Sequence, residues 1–138
     1  MERISKYDYF MKIADCVSER STCLRRHYGA VIVKDDRIVS TGYNGAAVGD
    51  YNCCDTGECV RDTMNIPHGE RYELCRAVHA EANAILSARE DLTGTTIYIH
   101  GRDAKTNHTV KGTPCKMCER LIKNAKIKTV YISEPDLI

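Results

Sequence analysis

The sequence lacks any apolar run long enough to span a membrane, although 43% of its 138 residues are hydrophobic. Residues 1–6 carry charges, and no apolar signal core follows them. Internal repeats and low-complexity tracts are absent as well. We therefore expect a cytoplasmic protein without a membrane partner, folded as a single domain over residues 1–138 around a hydrophobic core.

The sequence also lacks an excess of charge of either sign. Twenty basic residues stand against nineteen acidic ones, which leaves a formal net charge of +1. A protein that holds a nucleic acid over a large surface usually carries a marked positive excess. The composition therefore argues against a nucleic-acid partner, whereas a small anionic ligand needs only a local cluster of basic side chains.

Cysteine, by contrast, is abundant, with eight residues. In a chain without a secretion signal, this number indicates metal ligands or reactive thiols rather than disulfides. Cys115 and Cys118 lie in a Pro-Cys-Lys-Met-Cys segment, and Cys115 follows His79 by 36 residues. One imidazole and two thiolates are the three protein ligands that a catalytic zinc needs, with the fourth position left for water. The sequence therefore predicts a catalytic zinc site at His79, Cys115 and Cys118.

Both halves of this pattern are predicted to lie at helix starts. Residues 80–89, directly after His79, are rich in good helix formers. Pro114 suits the first position of a second helix, because a proline there loses no intrahelical hydrogen bond. Cys115 and Cys118, three residues apart, then lie on one face of that helix.

Glu81 is a carboxylate within two residues of the predicted ligand His79. In a regular helix, residues two apart point roughly 200° away from each other. We therefore expect Glu81 to be a proton carrier and not a fourth ligand. A Cys-x-x-Cys segment alone is more often part of a structural zinc site or a redox pair, so the combination with His79 and Glu81 favours catalysis.

The hydrophobic periodicity predicts an α/β protein. Apolar strands are expected at residues 29–34, 37–42, 95–100 and 128–133. The first of them is apolar throughout, which predicts a central place in its sheet. Alternation of these strands with helices predicts a three-layer α/β/α sandwich with a central mixed β-sheet, in which strands joined through a helix run parallel.

Three further segments complete the predicted secondary structure. A helix at residues 6–20 is expected to pack on the sheet, with Cys16 as a small core residue beside its apolar stripe of Phe10, Ile13, Ala14 and Val17. The second signature helix is expected to reach Asn124, with Leu121 and Ile122 facing the core. The polar stretch at residues 101–112 predicts a surface hairpin or loop.

Residues 43–71 show little periodicity, and a loop of this length in a compact domain is normally functional or held by something. We expect a structural zinc to hold this loop. Its predicted ligands are four thiols, Cys23, Cys53, Cys59 and Cys75. Cys54 and His68 remain alternative ligands.

Several short segments carry a resemblance to a known family. The His-x-Glu and Pro-Cys-x-x-Cys pair is the signature of zinc-dependent nucleobase deaminases. With its further segments the chain resembles the deoxycytidylate (dCMP) deaminases within the cytidine deaminase superfamily. Those segments are Ser21-Thr22-Cys23, Thr41-Gly42-Tyr43-Asn44-Gly45, Asn52-Cys53, Cys59 and residues 71–78.

This resemblance implies a cytidine deaminase-like fold and the hydrolytic deamination of dCMP to dUMP and ammonia. It implies that His79, Cys115 and Cys118 hold the catalytic zinc, and that Glu81 carries protons from water to the base and to the leaving amine. The placement of cysteines in the loop is similar to that of members with a second, structural zinc.

The resemblance also concerns ligands and partners. Asn44 and Ala80 are expected to bind the substrate, Asn44 through its sugar. Arg25 and Arg26 are our own candidates for the phosphate, because guanidinium groups suit phosphate. Family members are commonly homo-oligomers, often hexamers, and many are activated by dCTP, with which Mg²⁺ would bind, and inhibited by dTTP.

Two features differ from many relatives. The stretch at residues 101–112 lengthens the connection to Pro114, and His27-Tyr28 is an unusual approach to the first strand. Three alternative functions therefore stay open. They are a tRNA adenosine deaminase, which the Pro-Cys-Lys-Met-Cys segment also resembles, another deaminase of cytosine nucleosides or nucleotides, and a zinc-binding module without catalysis.

Overall fold

The structure, a computed structural model, describes residues 2–67, 75 and 77–135. The described residues form five helices and seven strands. In order they are α1 (Lys6–Ser18), β1 (Arg26–Lys34), β2 (Arg37–Tyr43), β3 (Gly45–Ala46), α2 (Cys53–Thr56), α3 (Val60–Thr63), β4 (Ala77–Val78), α4 (Ala80–Ser87), β5 (Thr96–Asp103), β6 (Thr109–Val110), α5 (Lys116–Asn124) and β7 (Thr129–Ile132). The predicted hairpin, signature helices and later strands are all present.

The main sheet has β1 between β2 and β5, with β6 and β7 on the other side of β5. β1 is antiparallel to both of its neighbours, whereas β7 is parallel to β5. The sheet is therefore mixed, and the predicted central position of the first strand is confirmed. β5 and β7, which α5 joins, run parallel as expected.

Successive side chains of β1 point to opposite sides of the sheet, so both of its faces are apolar. Helices cover each face. Ala30 and Ile32 belong to a core cluster with α4 and α5, and Val31 and Val33 belong to a second cluster with α1. Burial of one such aliphatic side chain contributes about 1.5–3 kcal/mol. The predicted three-layer α/β/α sandwich is confirmed.

Close packing between layers depends on two glycines. A β-carbon on Gly29 would meet the backbone of Ala14 and Ser18 in α1. A β-carbon on Gly42 would meet the backbone of Ala80 and Ala84 in α4. These glycines let both helices approach the sheet backbone directly.

Some local predictions were wrong. Cys16 is exposed and not part of the core. Leu121 is 43% exposed, whereas Ile122 is 4% exposed and faces the core as predicted. The reason is geometric, since adjacent helical residues lie about 100° apart and only one of these two can face the sheet fully.

The segment after β2 is less irregular than predicted. It contains the short pair of strands β3 and β4 and the single-turn helices α2 and α3. Asn52 organises it, because its side-chain Oδ1 accepts from Thr22 Oγ1 at 2.9 Å and from the Ala46 N–H at 3.1 Å. His68 and most of residues 71–76 lie outside the described residues.

No helix in the described ranges has both the length and the apolar character needed to cross a membrane.

Candidate active site

His79 is placed by the anchoring of α4 on the sheet. It is the N-cap residue of α4, with an extended backbone (φ −70°, ψ 154°). Ser40 Oγ donates to the Ala84 carbonyl oxygen at 2.7 Å, and Asn83 Nδ2 donates to the Tyr43 carbonyl oxygen at 2.8 Å. Both bonds fix α4 against β2, so the position of His79 follows from the sheet.

Cys115 has the equivalent position at the start of α5. It is the N-cap residue, and its sulfur accepts a hydrogen bond from the Cys118 N–H at 3.5 Å. Pro114 therefore precedes the helix and does not occupy its first position, contrary to prediction. Cys118 lies one turn into α5 and is 2% exposed.

These three residues converge on one point. His79 Nδ1 lies 3.4 Å from the sulfur of Cys115 and 3.4 Å from the sulfur of Cys118. Within the described residues they are the group whose ligand atoms all lie within 4.8 Å of one another. Zinc bonds of about 2.3 Å to sulfur and 2.0–2.1 Å to nitrogen in a tetrahedron place nitrogen and sulfur about 3.6 Å apart. The donor set and its spacing therefore fit zinc.

Glu81 lies beside this group. It is 5% exposed, and the Cys118 thiol donates a hydrogen bond to its carboxylate. Burial raises the pKa of Glu81, and the hydrogen bond from its own backbone N–H and the charge of His79 oppose that rise. Glu81 does not belong to the ligand group. The expected angle of roughly 200° between His79 and Glu81 does not apply, because His79 is a cap residue with an extended backbone.

The electrostatics of Cys118 also favour a cation here. Burial raises the pKa of the Cys118 thiol strongly, and the charges of Glu81 and Cys115 raise that pKa further. A divalent cation favours the thiolate and offsets both effects. Positive charge at this point would therefore stabilise the Cys118 thiolate beside the Glu81 carboxylate.

A cavity of about 500 Å³ opens from this group. His79, Glu81 and Cys115 line it, together with residues from the start of β1, the segment after β3 and the β6 strand. The other lining residues are Cys23, Arg25, Arg26, Tyr28, Asn44, Cys53, Cys59, Arg61, Cys75, Ala77, Ile99, Thr109, Val110, Lys111, Thr113 and Pro135. The cavity is large enough for a small molecule of nucleotide size.

Asn44 and Ala80, the predicted substrate-binding residues, have different environments. Asn44 lines the cavity, and its side chain binds the backbone of β1. Its Oδ1 accepts from the Tyr28 N–H at 2.9 Å, and its Nδ2 donates to the Arg26 carbonyl oxygen at 2.8 Å. Ala80 is fully buried in the core and does not line the cavity. Neither the side chain nor the backbone of Ala80 is therefore accessible to a ligand in this structure.

Arg25 and Arg26, the predicted phosphate ligands, both line the cavity. Arg25 Nε lies 3.5 Å from Asp62, and Arg26 Nη1 lies 3.6 Å from Asp103. The Nη1 atom of Arg25 is buried and has no hydrogen-bond partner among the described residues. Arg25 therefore has donor capacity that no described residue uses.

Cys23, Cys53, Cys59 and Cys75 line the same cavity. Burial raises the pKa of Cys75, and the nearby charges of Cys23 and Cys59 raise it further. Among residues 2–67, 75 and 77–135, however, no three of these sulfur atoms all lie within 4.8 Å of one another, unlike the ligand atoms of the His79 group. Cys54 is exposed and does not line the cavity.

Three charged or aromatic residues of the cavity were missed in the sequence. Tyr28 follows the unusual His27, and its ring packs against Gly101. Arg61 is 5% exposed and donates to the Pro67 carbonyl oxygen at 3.1 Å. Lys111 belongs to the polar stretch before Pro114, and that unusual insertion was the available signal.

A mixed sheet between helices, with an imidazole and two thiols beside a buried carboxylate, defines the class of zinc-dependent deaminases. A family model described as the cytidine and deoxycytidylate deaminase zinc-binding region matches residues 4–134. The chain belongs to this family, and its zinc-binding character agrees with the geometry of His79, Cys115 and Cys118.

Individual relatives agree with this assignment. The deoxycytidylate deaminase of Mycobacterium phage D29 is 40% identical over 136 residues, which are 94% of this chain and 95% of that protein. ComE operon protein 2 of Bacillus subtilis is 37% identical, with 97% of this chain and 62% of that protein covered. The deoxycytidylate deaminase of Schizosaccharomyces pombe is 33% identical, and this chain covers 34% of its length.

Solved structures show the same fold. The dCMP deaminase of the cyanophage S-TIM5 in apo form has a TM-score of 0.66 at 26% identity, with 94% of this chain and 83% of that chain covered. The same enzyme in complex with dCMP and dUMP has a TM-score of 0.65 at 25% identity, with 95% and 82% covered. The cytidine deaminase-like fold is thus confirmed.

Proposed function

We propose that the chain hydrolyses dCMP to dUMP and ammonia. The observation that carries this proposal is the position of Glu81, which is 5% exposed, lies beside Cys118 and lines the same cavity as His79, Cys115 and four basic side chains. A zinc-binding module without catalysis would have no use for a buried carboxylate there. The dCMP deaminase relatives, one of them solved with dCMP and dUMP, support the same substrate.

His79, Cys115 and Cys118 would hold zinc, through Nδ1 and two sulfur atoms. Zinc bound there supplies Lewis-acid activation of the attacking water. The hydrogen bond from the Cys118 N–H to the Cys115 sulfur helps to stabilise a thiolate at Cys115. Three protein ligands leave room for the water, as catalytic zinc sites require.

Glu81 would be the proton carrier of the reaction. Its carboxylate accepts a proton from the water that attacks C4 of the cytosine ring, and passes it to N3. A second proton then goes to the exocyclic amine, which leaves as ammonia while C4 retains the oxygen. Burial raises the pKa of Glu81 above its ordinary value. A raised pKa suits a carboxylate that both accepts and donates protons.

Arg25 is the better of the two candidates for the substrate phosphate. Its buried Nη1 atom has no hydrogen-bond partner within the described part of the chain. Arg26 would add positive charge next to Arg25, although its ion pair with Asp103 partly neutralises that charge. The salt-bridge partner Asp62 orients Arg25 through Nε and leaves the Nη atoms available.

Asn44 would contact the sugar. An amide side chain offers two N–H donors and two lone pairs on oxygen, and Asn44 uses one of each for the backbone of β1. One donor and one lone pair therefore remain for a sugar hydroxyl. Ala80 is fully buried, so it would act by packing the start of α4, and with it His79 and Glu81, against the sheet.

A structural zinc at Cys23, Cys53, Cys59 and Cys75 also remains part of the proposal. The mutual influence of Cys23, Cys59 and Cys75 on ionisation supports it. Metal analysis should then give two zinc ions per chain, and Cys23→Ser should lower that number to one. Unchanged zinc content in Cys23→Ser would remove Cys23 from the ligand set.

Regulation and location are proposed from family resemblance alone. We expect a cytoplasmic homo-oligomer, in the size range up to a hexamer. dCTP with Mg²⁺ would activate the enzyme, and dTTP would inhibit it. Analytical ultracentrifugation with and without these nucleotides tests the assembly.

A substrate panel tests the proposed activity. Ammonia release from dCMP, cytidine, dCTP and free cytosine is measured on purified, zinc-loaded protein, with inosine formation in tRNA as an additional assay. We expect the highest kcat/KM for dCMP. Absence of release from dCMP above background, with full zinc occupancy, would refute the assignment.

A further inference from the structure

The proposed function described above gives no role to the hairpin of β5 and β6. It is the polar stretch at residues 101–112 that lengthens the connection to α5. Thr109, Val110 and Lys111 line the cavity, whereas the turn at residues 104–106 does not. The hairpin therefore contributes a wall to the site.

Lys111 is held in place through its two neighbours. Ser133 Oγ donates to the Val110 carbonyl oxygen at 2.7 Å, and the Gly112 N–H donates to the Ser133 carbonyl oxygen at 3.1 Å. Gly112 lies so close to the Ile99 carbonyl that a β-carbon would collide with it. The backbone on both sides of Lys111 is thus fixed on the sheet, and its side chain reaches the cavity from a defined position.

The hairpin is also joined to the segment that contains Arg25. The Ala104 N–H donates to the Arg25 carbonyl oxygen at 3.0 Å. The Asp103 carboxylate lies 3.6 Å from Arg26 Nη1. The wall that contains Lys111 and the wall that contains Arg25 are therefore connected by backbone and ion-pair contacts.

The charges of the cavity are unbalanced. Arg25, Arg26, Arg61 and Lys111 line it, and Glu81 is the one carboxylate among its described lining residues. Arg25 and Arg26 have carboxylate partners at 3.5 and 3.6 Å. Within the described ranges, no carboxylate pairs with the Lys111 ammonium. Lys111 is exposed at the cavity wall, so its ammonium remains available to an anionic group bound there.

We propose that Lys111 binds the phosphate of the nucleotide together with Arg25, and that the hairpin thereby selects nucleotides over nucleosides. This inference rests on the proposed deaminase function, but it concerns phosphate recognition alone. The buried, unpartnered Nη1 atom of Arg25 independently marks this cavity as a place for an acceptor group. An ammonium is a compact charge with three donors, so it attracts a phosphate in many orientations.

Binding of the product tests this inference without any catalytic step. Calorimetry on zinc-loaded protein gives the dissociation constants of dUMP and deoxyuridine for the wild type and for Lys111→Ala, Lys111→Arg and Lys105→Ala. Lys105 is the matched control because it lies on the same hairpin, is exposed, and does not line the cavity.

We expect Lys111→Ala to weaken dUMP binding roughly tenfold, as for loss of one hydrogen bond to a charged group. Deoxyuridine binding should not change, because it has no phosphate. Lys111→Arg should restore most of the affinity for dUMP, and Lys105→Ala should bind both compounds like the wild type.

Three results would overturn the inference. They are wild-type dUMP affinity in Lys111→Ala, an equal loss for dUMP and deoxyuridine, and an equal loss of dUMP affinity in Lys105→Ala. Failure of the proposed deaminase function is a separate outcome. In that case the wild type releases no ammonia from dCMP, although its binding of dUMP still depends on Lys111.

Discussion

The backbone of Gly42 in β2 lies directly against the carbonyl group of Ala80, the first residue of α4. His79 and Glu81 are the residues on either side of Ala80, so the contact fixes the start of the helix that carries them. Gly42 lies within the segment Thr41–Gly45 that contributes to the family resemblance. Its role in this structure is to let the catalytic helix approach the sheet.

Gly42→Ala should therefore damage stability and activity together. A β-carbon at this position forces α4 away from β2, and overpacking of this kind costs about 1–3 kcal/mol. Urea unfolding and ammonia release from dCMP measure the two effects. Thr41→Ala is the control, since Thr41 is the exposed neighbour in the same strand. Equal stability and activity of the two variants would contradict the proposed contact.

Glu81→Gln should abolish turnover and preserve the site. Glutamine has the same shape but cannot accept a proton from water, so kcat should fall by at least about 100-fold. Zinc content and circular dichroism should match the wild type, because Glu81 is not in the ligand group. Glu119→Gln, an exposed change on α5, controls for charge. Substantial activity in Glu81→Gln would exclude the proton-carrier role.

Removal of zinc should abolish deamination reversibly. A chelator that strips the ion should stop ammonia release, and added Zn²⁺ should restore it. Cys115→Ser should reduce the zinc content by one ion per chain, as measured by atomic emission. Cys16→Ser, a change of an exposed thiol on α1, should leave the content unchanged. Full activity of the chelated protein would refute a metal-dependent reaction.

The ion pair of Asp15 with Arg102 should make stability depend on pH. Arg102 Nε and Nη2 donate to the two carboxylate oxygens at 2.7 and 2.6 Å. The Arg102 hydrogen bonds lower the pKa of Asp15 below 3.8. Burial opposes this decrease, and the charge of the nearby His100 adds to it. The folded state therefore binds the proton less readily than the unfolded state. The stabilisation is complete above about pH 4–5 and is lost as the pH falls through the lowered pKa.

Asp15→Asn should thus be less stable than the wild type at pH 7 by about 1 kcal/mol. The difference should shrink in urea titrations at about pH 3. Asp36→Asn is the matched control, since Asp36 pairs with Lys6 at an exposed site, and it should change stability by less than about 0.5 kcal/mol. A difference between Asp15→Asn and wild type that is independent of pH would contradict the ion-pair account.

Asn44→Ala should lower stability and substrate affinity. Its amide joins the Tyr28 N–H and the Arg26 carbonyl, and loss of the amide leaves two backbone groups without that partner, at a cost of about 1–3 kcal/mol. KM for dCMP should rise as well, because Arg26 and Tyr28 belong to the cavity wall. Thermal unfolding and steady-state kinetics measure both effects. Unaltered stability would show that these hydrogen bonds contribute little.

The fold class and the residues of the candidate metal site were predictable from the sequence. Apolar periodicity reports which face of an element is buried, so the strands, the central place of β1 and the stripe of α1 were predictable. His79, Cys115 and Cys118 were predictable because few residue types bind zinc and their spacing at helix starts is specific.

Only the tertiary structure decided how the other groups meet. Helical periodicity predicted that Glu81 points away from His79, but His79 is an extended cap residue, and Glu81 lies beside Cys118. Pairing of β5 with β6 brings Lys111 to the cavity, whereas the sequence marked only the unusual polar stretch before Pro114 and not which of its residues would line the site. Periodicity describes one element at a time, whereas a cavity depends on backbone contacts between elements that are distant in the chain.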